Sequence, residues 1–117
     1  MDRIPDFSVT VESPADGQAV LAVRGELDLA SAEILRQPLV EALSTHRLVV
    51  LEMSGCPFLD SSGLRALLAG VRKADEAGSA LRLCAAGPEV ARVIELTAVQ
   101  SVLRVYPDVA SALRAAD

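Results

Sequence analysis

Strict alternation of apolar and polar residues is confined to the start of the chain. In FSVTVES, Phe7, Val9 and Val11 share one face, the period of a half-buried strand. PADGQ follows with a Pro, an Asp-Gly pair and a polar end, which reads as a hairpin turn. AVLAVRG, ending at Gly25, is then a second strand, antiparallel to the first because so short a turn joins them. Beyond Gly25 the rhythm becomes helical. Leu35, Leu39, Ala42 and Leu43 recur at helix spacing after Ser31, a candidate N-cap. Pro38 falls inside that helix, where it removes a backbone donor at a cost of ~3 kcal/mol, so a kink or a late start is expected. RLVVLEM has a continuous apolar centre, as in a strand covered on both faces. Leu64, Leu67, Leu68 and Val71 fit one helical stripe, and Gly78 sits where a C-terminal cap belongs. ALRLCAA reads as another strand. Gly87-Pro88-Glu89 opens a helix with proline at its first position and Val90, Val93 and Ile94 on one side. SVLRVY is the last expected strand, and Pro107-Asp108 opens a short helix reaching Arg114, ahead of an alanine-rich tail.

A hairpin followed by strand–helix alternation implies right-handed crossovers and parallel strands. The expected fold is α/β (α+β): a single mixed sheet of about five strands, antiparallel at the N-terminal hairpin and parallel afterwards, with about four helices. A chain of 117 residues suits one domain over residues 1–117. Hydrophobic residues make up 51% and aromatics only 3%, so Ala, Val, Leu and Ile must build the core. The net charge of −5 argues against a nucleic-acid footprint and against an anionic membrane surface, while leaving a basic protein partner open. No apolar run approaches the ~18–20 residues that span a bilayer. MDRIPDF lacks the basic start and apolar stretch of a signal peptide, so a cytoplasmic location is expected. Cys56 and Cys84 are then reduced thiols, and neither has metal-ligand spacing around it. The size and the lack of heptads make a monomer the default.

The chemistry concentrates in FLDSSGL, residues 58–64, where two hydroxyls lie between a carboxylate and a glycine. The turn follows a parallel strand and opens a helix, the edge at which α/β sheets gather ligands. Unpartnered first-turn amides and the helix dipole favour an anion there. Gly63, with no Cβ, lets another backbone come close. One reading is ordinary capping, with Asp60 or Ser61 as the N-cap and the rest turn chemistry. Another is a hydroxyl held ready for modification. A Ser–His–Asp hydrolase needs a base within hydrogen-bond reach. The one histidine, His46, precedes the strand that Ser61 follows, which separates them by roughly 20 Å at the rise of a strand. The same separation excludes it as a base for Cys56, which also lacks a cationic neighbour to lower its pKa. No phosphate-binding loop of the G-x-x-x-x-G-K-[ST] type is present. A receiver-like or metal-dependent enzyme would use Asp60 with Glu26 and Asp28, but the one lysine, Lys73, lies inside a helix.

Two blocks carry a likeness to a known family. GELDLASAEIL at 25–35 and LVVLEMSGCPFLDSSGLRALL at 48–68 resemble the STAS domain of anti-sigma factor antagonists, and the element order agrees over essentially the whole chain. The resemblance implies a phosphorylation switch rather than a catalyst, with no cofactor and no metal. It makes Ser61 the residue phosphorylated by an ATP-bound anti-sigma factor serine kinase. The unphosphorylated protein would bind that kinase and free a sigma factor, and a metal-dependent serine phosphatase would reset it. Asp28, Asp60, Ser61, Ser62 and Gly63 become the partner-binding residues. Ser62 is expected to help cap the helix while Ser61 stays free. Pro38 and the Cys56-Pro57 pair depart from the family pattern. An alternative keeps the fold and changes the job, to a stand-alone STAS subunit of a transport or stress-sensing assembly that is never phosphorylated.

Overall fold

The structure, a computed structural model, describes residues 7–99 and 101–115. Most of MDRIPDF and the end of the alanine-rich tail therefore lie outside the described residues. Strand β1 (Ser8–Glu12) pairs antiparallel with β2 (Gln18–Arg24) through the expected turn, where Gly17 takes a φ of +77°. Helix α1 (Leu29–Thr45) leads to β3 (Leu48–Gly55), and α2 (Ser61–Ala77) leads to β4 (Ala80–Cys84). Helix α3 (Pro88–Leu96), strand β5 (Val105–Tyr106) and helix α4 (Val109–Arg114) complete the order. The sheet runs β1-β2-β3-β4-β5, with β2 to β5 parallel. The fold expected from the sequence is the one observed.

The continuous apolar centre of β3 has the predicted cause. Val49, Leu51 and Met53 face a core shared with Leu35, Leu39 and Leu43 of α1, Leu67 of α2 and Ile94 of α3. Val50 and Leu48 point the other way, into a smaller cluster with Val20, Cys84 and Ala112 of α4. Arg82 fastens α4 to that second face. It is buried, its Nη1 donates to the Ala112 carbonyl at 2.6 Å, and its guanidinium lies 5.8 Å from the Tyr106 ring centre. Both cysteines are free and buried, one on each side of the sheet.

Three expectations are corrected. The N-cap of α1 is Asp28, not Ser31. Asp28 Oδ1 accepts from the Ser31 N–H at 3.0 Å, and the Ser31 hydroxyl accepts from the Asp28 N–H at 2.8 Å, a reciprocal capping box. Ser31 is buried in this role, with its hydroxyl also 2.6 Å from the Glu26 carbonyl. Pro38 does not delay the helix, which is assigned without interruption from Leu29 to Thr45. Leu35, Leu39, Ala42 and Leu43 are all buried on either side of it, so packing outweighs the one lost donor. Finally, SVLRVY forms strand only at Val105–Tyr106. The N–H groups of Val102 and Leu103 donate instead to the Val99 carbonyl, at 3.0 and 2.9 Å, and the resulting turn drives Leu103 fully into the core.

Asp108 caps α4 as Asp28 caps α1, accepting from the Ser111 N–H at 2.7 Å. The backbone N–H of Ser31 and then its hydroxyl hold the Asp28 carboxyl below its ordinary value, and those of Ser111 do the same for Asp108. A depressed folded pKa means that folding favours the ionised form. The stabilisation is therefore complete above the unfolded value, about 3.9, and is lost as pH falls through the lower folded value. Urea midpoints measured from about pH 6 downward should fall below about pH 4. In Asp28→Asn/Asp108→Asn, which keeps a capping oxygen but cannot titrate there, the decline should be shallower.

Candidate functional site

Two chain segments that are remote in sequence meet at the carboxyl edge of β2 and β3. Past β2, the run Gly25–Asp28 lies alongside the run that leaves β3. The Gly25 N–H donates to the Gly55 carbonyl at 2.9 Å, and the Leu27 N–H to the Phe58 carbonyl at 3.0 Å. The Asp60 N–H donates back to the Leu27 carbonyl at 3.2 Å, and Leu27 and Leu59 form an isolated parallel bridge. Cys56 braces the loop from within. Its Sγ donates to the same Phe58 carbonyl at 3.3 Å, and burial pushes its thiol above the ordinary value. That makes it an internal stay rather than a nucleophile.

The turn itself is built around Asp60. It is the N-cap of α2, extended at φ −103° and ψ −171°, and its Oδ1 accepts from the Gly63 N–H at 2.9 Å. The Leu64 N–H reaches the Asp60 carbonyl at 2.9 Å. Gly63 is buried against the neighbouring segment. A Cβ there would stand 2.3 Å from the Leu27 carbonyl oxygen and 3.0 Å from Leu27 Cγ, so only glycine fits. Ser61 occupies the first helical position and is exposed, while Ser62, at the second, is half-buried. Among the described residues neither hydroxyl has a hydrogen-bond partner, and neither N–H has one within the helix. The expectation that Ser62 caps α2 is thus corrected. Asp60 does this, and Ser62 lines a trough between α1 and α2 of about 440 Å³.

The structure brings Asp60, Ser61, Ser62 and Gly63 into one turn and places Asp28 one residue beyond Leu27, which touches it. The Asp28 carboxylate is occupied by its own helix cap. Exposed apolar residues flank the turn, Leu29 at 71% and Phe58 at 42% exposure, and none of the described residues covers them. The sequence reading overlooked Leu27, whose part is played by a backbone carbonyl and leaves no side-chain signal. It also overlooked the apolar flank, although Leu29 directly after a cap is visible in the sequence. His46 lies before β3, at the opposite edge, as the C-cap of α1 with Nδ1 3.1 Å from the Ala42 carbonyl. Cys84, at the end of β4, is buried on the other face of the sheet with Val50 and Ala112. Burial, with the charges of Glu52 and Asp108, pushes its thiol up to about 11. Among the described residues no group of three or more His, Cys, Asp or Glu is placed to hold a metal ion.

Comparison with known proteins places this geometry in context. The family model described as the STAS domain matches residues 9–112. The anti-sigma-F factor antagonist RsfB of Mycobacterium tuberculosis is 28% identical over 110 residues, 93% of this chain and 89% of that protein. A crystal structure of an anti-sigma factor antagonist from Mycobacterium paratuberculosis is 31% identical, with a TM-score of 0.83 and 94% of each chain covered. The anti-sigma factor antagonist SpoIIAA of Bacillus, in its unphosphorylated form, is similar in fold at 20% identity, with a TM-score of 0.71 and coverage of 84% of this chain and 87% of that one.

Gly63→Ala should cost about 1–3 kcal/mol in urea unfolding, because the Leu27 backbone must retreat from the new methyl group. Asp60→Ala should cost about 1 kcal/mol through loss of the cap, whereas Ser62→Ala should stay within about 0.5 kcal/mol of wild type. The ordering Asp60 over Ser62 in the same unfolding series checks which residue caps α2.

Proposed function

The chain belongs to the STAS domain family, and we propose that it works as an anti-sigma factor antagonist switched by phosphorylation of Ser61. In this reading the unphosphorylated protein, a monomeric single domain over residues 1–117 in the cytoplasm, binds an ATP-bound anti-sigma factor serine kinase and frees a sigma factor. Phosphate on Ser61 ends that binding, and a serine phosphatase restores it. The protein acts by docking and presents a hydroxyl to its partner's active site.

The observation that carries the reading is the state of the Ser61 side chain. It is exposed and unengaged at the first position of α2, because Asp60 has taken over the capping. A kinase can therefore reach the hydroxyl without unfolding the helix start. A phosphate there would add roughly −1.5 to −2 charges at neutral pH. The adjacent amides of Ser61 and Ser62 and the helix dipole favour such a charge in the free protein. At an interface the same group must be desolvated next to Asp60, and a loss of ~2–3 kcal/mol weakens binding about 30- to 150-fold. Asp28, Asp60, Ser62 and Gly63 act around it, Asp28 and Asp60 by capping the two adjacent helix starts, Gly63 by admitting the Leu27 carbonyl, and Ser62 at the head of the trough. The names of the relatives, and the existence of SpoIIAA in both unphosphorylated and phosphorylated forms, support the reading.

Incubation with the cognate kinase and ATP should add one phosphate to the tryptic peptide spanning residues 48–65. Ser61→Ala should abolish that label and Ser62→Ala should retain it. Ser61→Glu should bind the kinase at least about 30-fold more weakly than wild type by calorimetry. Equal binding by Ser61→Glu, or tight binding with no phosphate ever transferred, would overturn the switch and favour a constitutive STAS subunit.

A further inference from the structure

We propose that the trough between α1 and α2 is a docking groove for an amphipathic helix of the partner, one that carries carboxylates along its flanks. The proposal rests on the antagonist reading for the partner's identity, not for its chemistry. Both helices follow parallel strands and so run side by side in the same direction, leaving a furrow from Leu29 and Ser62 at one end to Val40 and Glu76 at the other. At 1.5 Å per residue that furrow is roughly 15–20 Å long, enough for three to four turns of helix. Its floor is apolar and low. Leu39 closes it from below, and between the charged residues of its rim the α2 side presents the small residues Ala66, Ala69 and Gly70, so a third helix can come close. Gly70 also seats the two helices on the sheet, since a Cβ there would press on Leu81 and Leu39 at 2.9 and 3.0 Å.

The rim decides what kind of helix fits. Arg36 on α1 and Arg65, Arg72 and Lys73 on α2 line the furrow, against Glu33 and Glu76. Lys73 and Glu76 face each other at 3.8 Å, whereas Arg36, Arg65 and Arg72 join no ion pair among the described residues. Four cations against two anions leave a local excess of positive charge on a chain whose net charge is −5. Such a rim selects an acidic partner surface and rejects a basic one. Arginine forks beside a desolvated apolar strip are also the groups that anchor interfaces. A helix laid in a groove supplies both, with an apolar row at i, i+3, i+4 and i+7 and charges beside it. The placement also gives the switch its sign. Ser62 lies at the head of the furrow and Ser61 is its neighbour, so a phosphate would meet the end of an acidic helix and repel it.

The test is a titration of ¹⁵N-labelled protein with a synthetic amphipathic peptide of about fourteen residues, with leucines at helical spacing and glutamates on both flanks. A twin peptide has lysine at each glutamate position. The acidic peptide should shift the amides of Ala32, Arg36, Ala66 and Ala69 saturably and bind at least ~10-fold more tightly than the twin. Arg36→Glu/Arg65→Glu/Arg72→Glu should reverse that preference while the amides of β2 to β4 stay in place. Equal affinities, shifts centred elsewhere or no saturable shift would each overturn the proposal. So would movement of the same amides when the protein alone is concentrated, which would assign the groove to a second copy. Labelling of Ser61 by the kinase is read in a different assay, so either conclusion can fail while the other stands.

Discussion

The position of the acceptor turn rests on one close approach, between the Leu27 carbonyl and Gly63. That oxygen accepts from the Asp60 N–H and occupies the space that a Gly63 side chain would need. Through it, the segment after β2 and the segment after β3 become one rigid edge, tied again by Gly25 to Gly55 and by Leu27 to Phe58. Each tie is a backbone hydrogen bond, individually worth about 0.5–1.5 kcal/mol, but together they leave the turn no independent freedom. The starts of α1 and α2 are consequently held side by side. Asp28 and Asp60, their caps, are the residues that immediately follow Leu27 and Leu59, the two residues of the bridge.

This arrangement answers why two hydroxyls stand where one cap suffices. Both helix starts use the carboxylate just outside the helix, which leaves serine side chains inside the first turn for other work. In α1 the serine at the third position is buried and closes a box with its cap. In α2 the third position is Gly63, because Leu27 leaves no room for a side chain. The hydroxyls are displaced to the first and second positions, where the backbone makes no demand on them. An exposed unengaged hydroxyl at Ser61 is thus a consequence of the steric clamp, not an accident of a flexible loop.

Much of this was legible in the sequence, for reasons that differ by element. The hairpin, the two-sided burial of β3, the stripe of α2, Gly78 at φ +72° and Pro88 opening α3 are all local signals, and each held. The turn was located correctly as a strand-to-helix junction. The cap of α1 was misplaced because Asp28 and Ser31 are about equally good N-caps, and only the observed reciprocal bonds tell the cap from its partner. Pro38 and SVLRVY misled for a common reason: a local penalty or propensity was outweighed by burial of the Leu35–Leu43 stripe and of Leu103. The contact between Leu27 and Gly63 was beyond a one-dimensional reading, since it joins a backbone atom to the absence of an atom. The glycine is visible in the sequence, but the backbone oxygen that comes close to it is not.

The charge distribution then bears on how a phosphate at Ser61 could alter docking while leaving the fold alone. Within the free protein the group would sit in water, stabilised by the first turn of α2 and screened over about 8 Å at physiological ionic strength. The core would not register it. Val49, Leu51 and Leu67 are fully buried, whereas Ser61 is exposed at the surface. An approaching partner would exclude that water. Two unit charges 4 Å apart interact by about 1 kcal/mol in bulk water and about 4 kcal/mol at the effective dielectric of a protein surface. The repulsion therefore grows as the interface forms, and it is felt by whatever acidic group lies nearest. A rigid turn makes this penalty unavoidable, because neither Asp60 nor Gly63 can give way without breaking its contact with Leu27. The clamp that exposes the hydroxyl would also keep its phosphate in the partner's path.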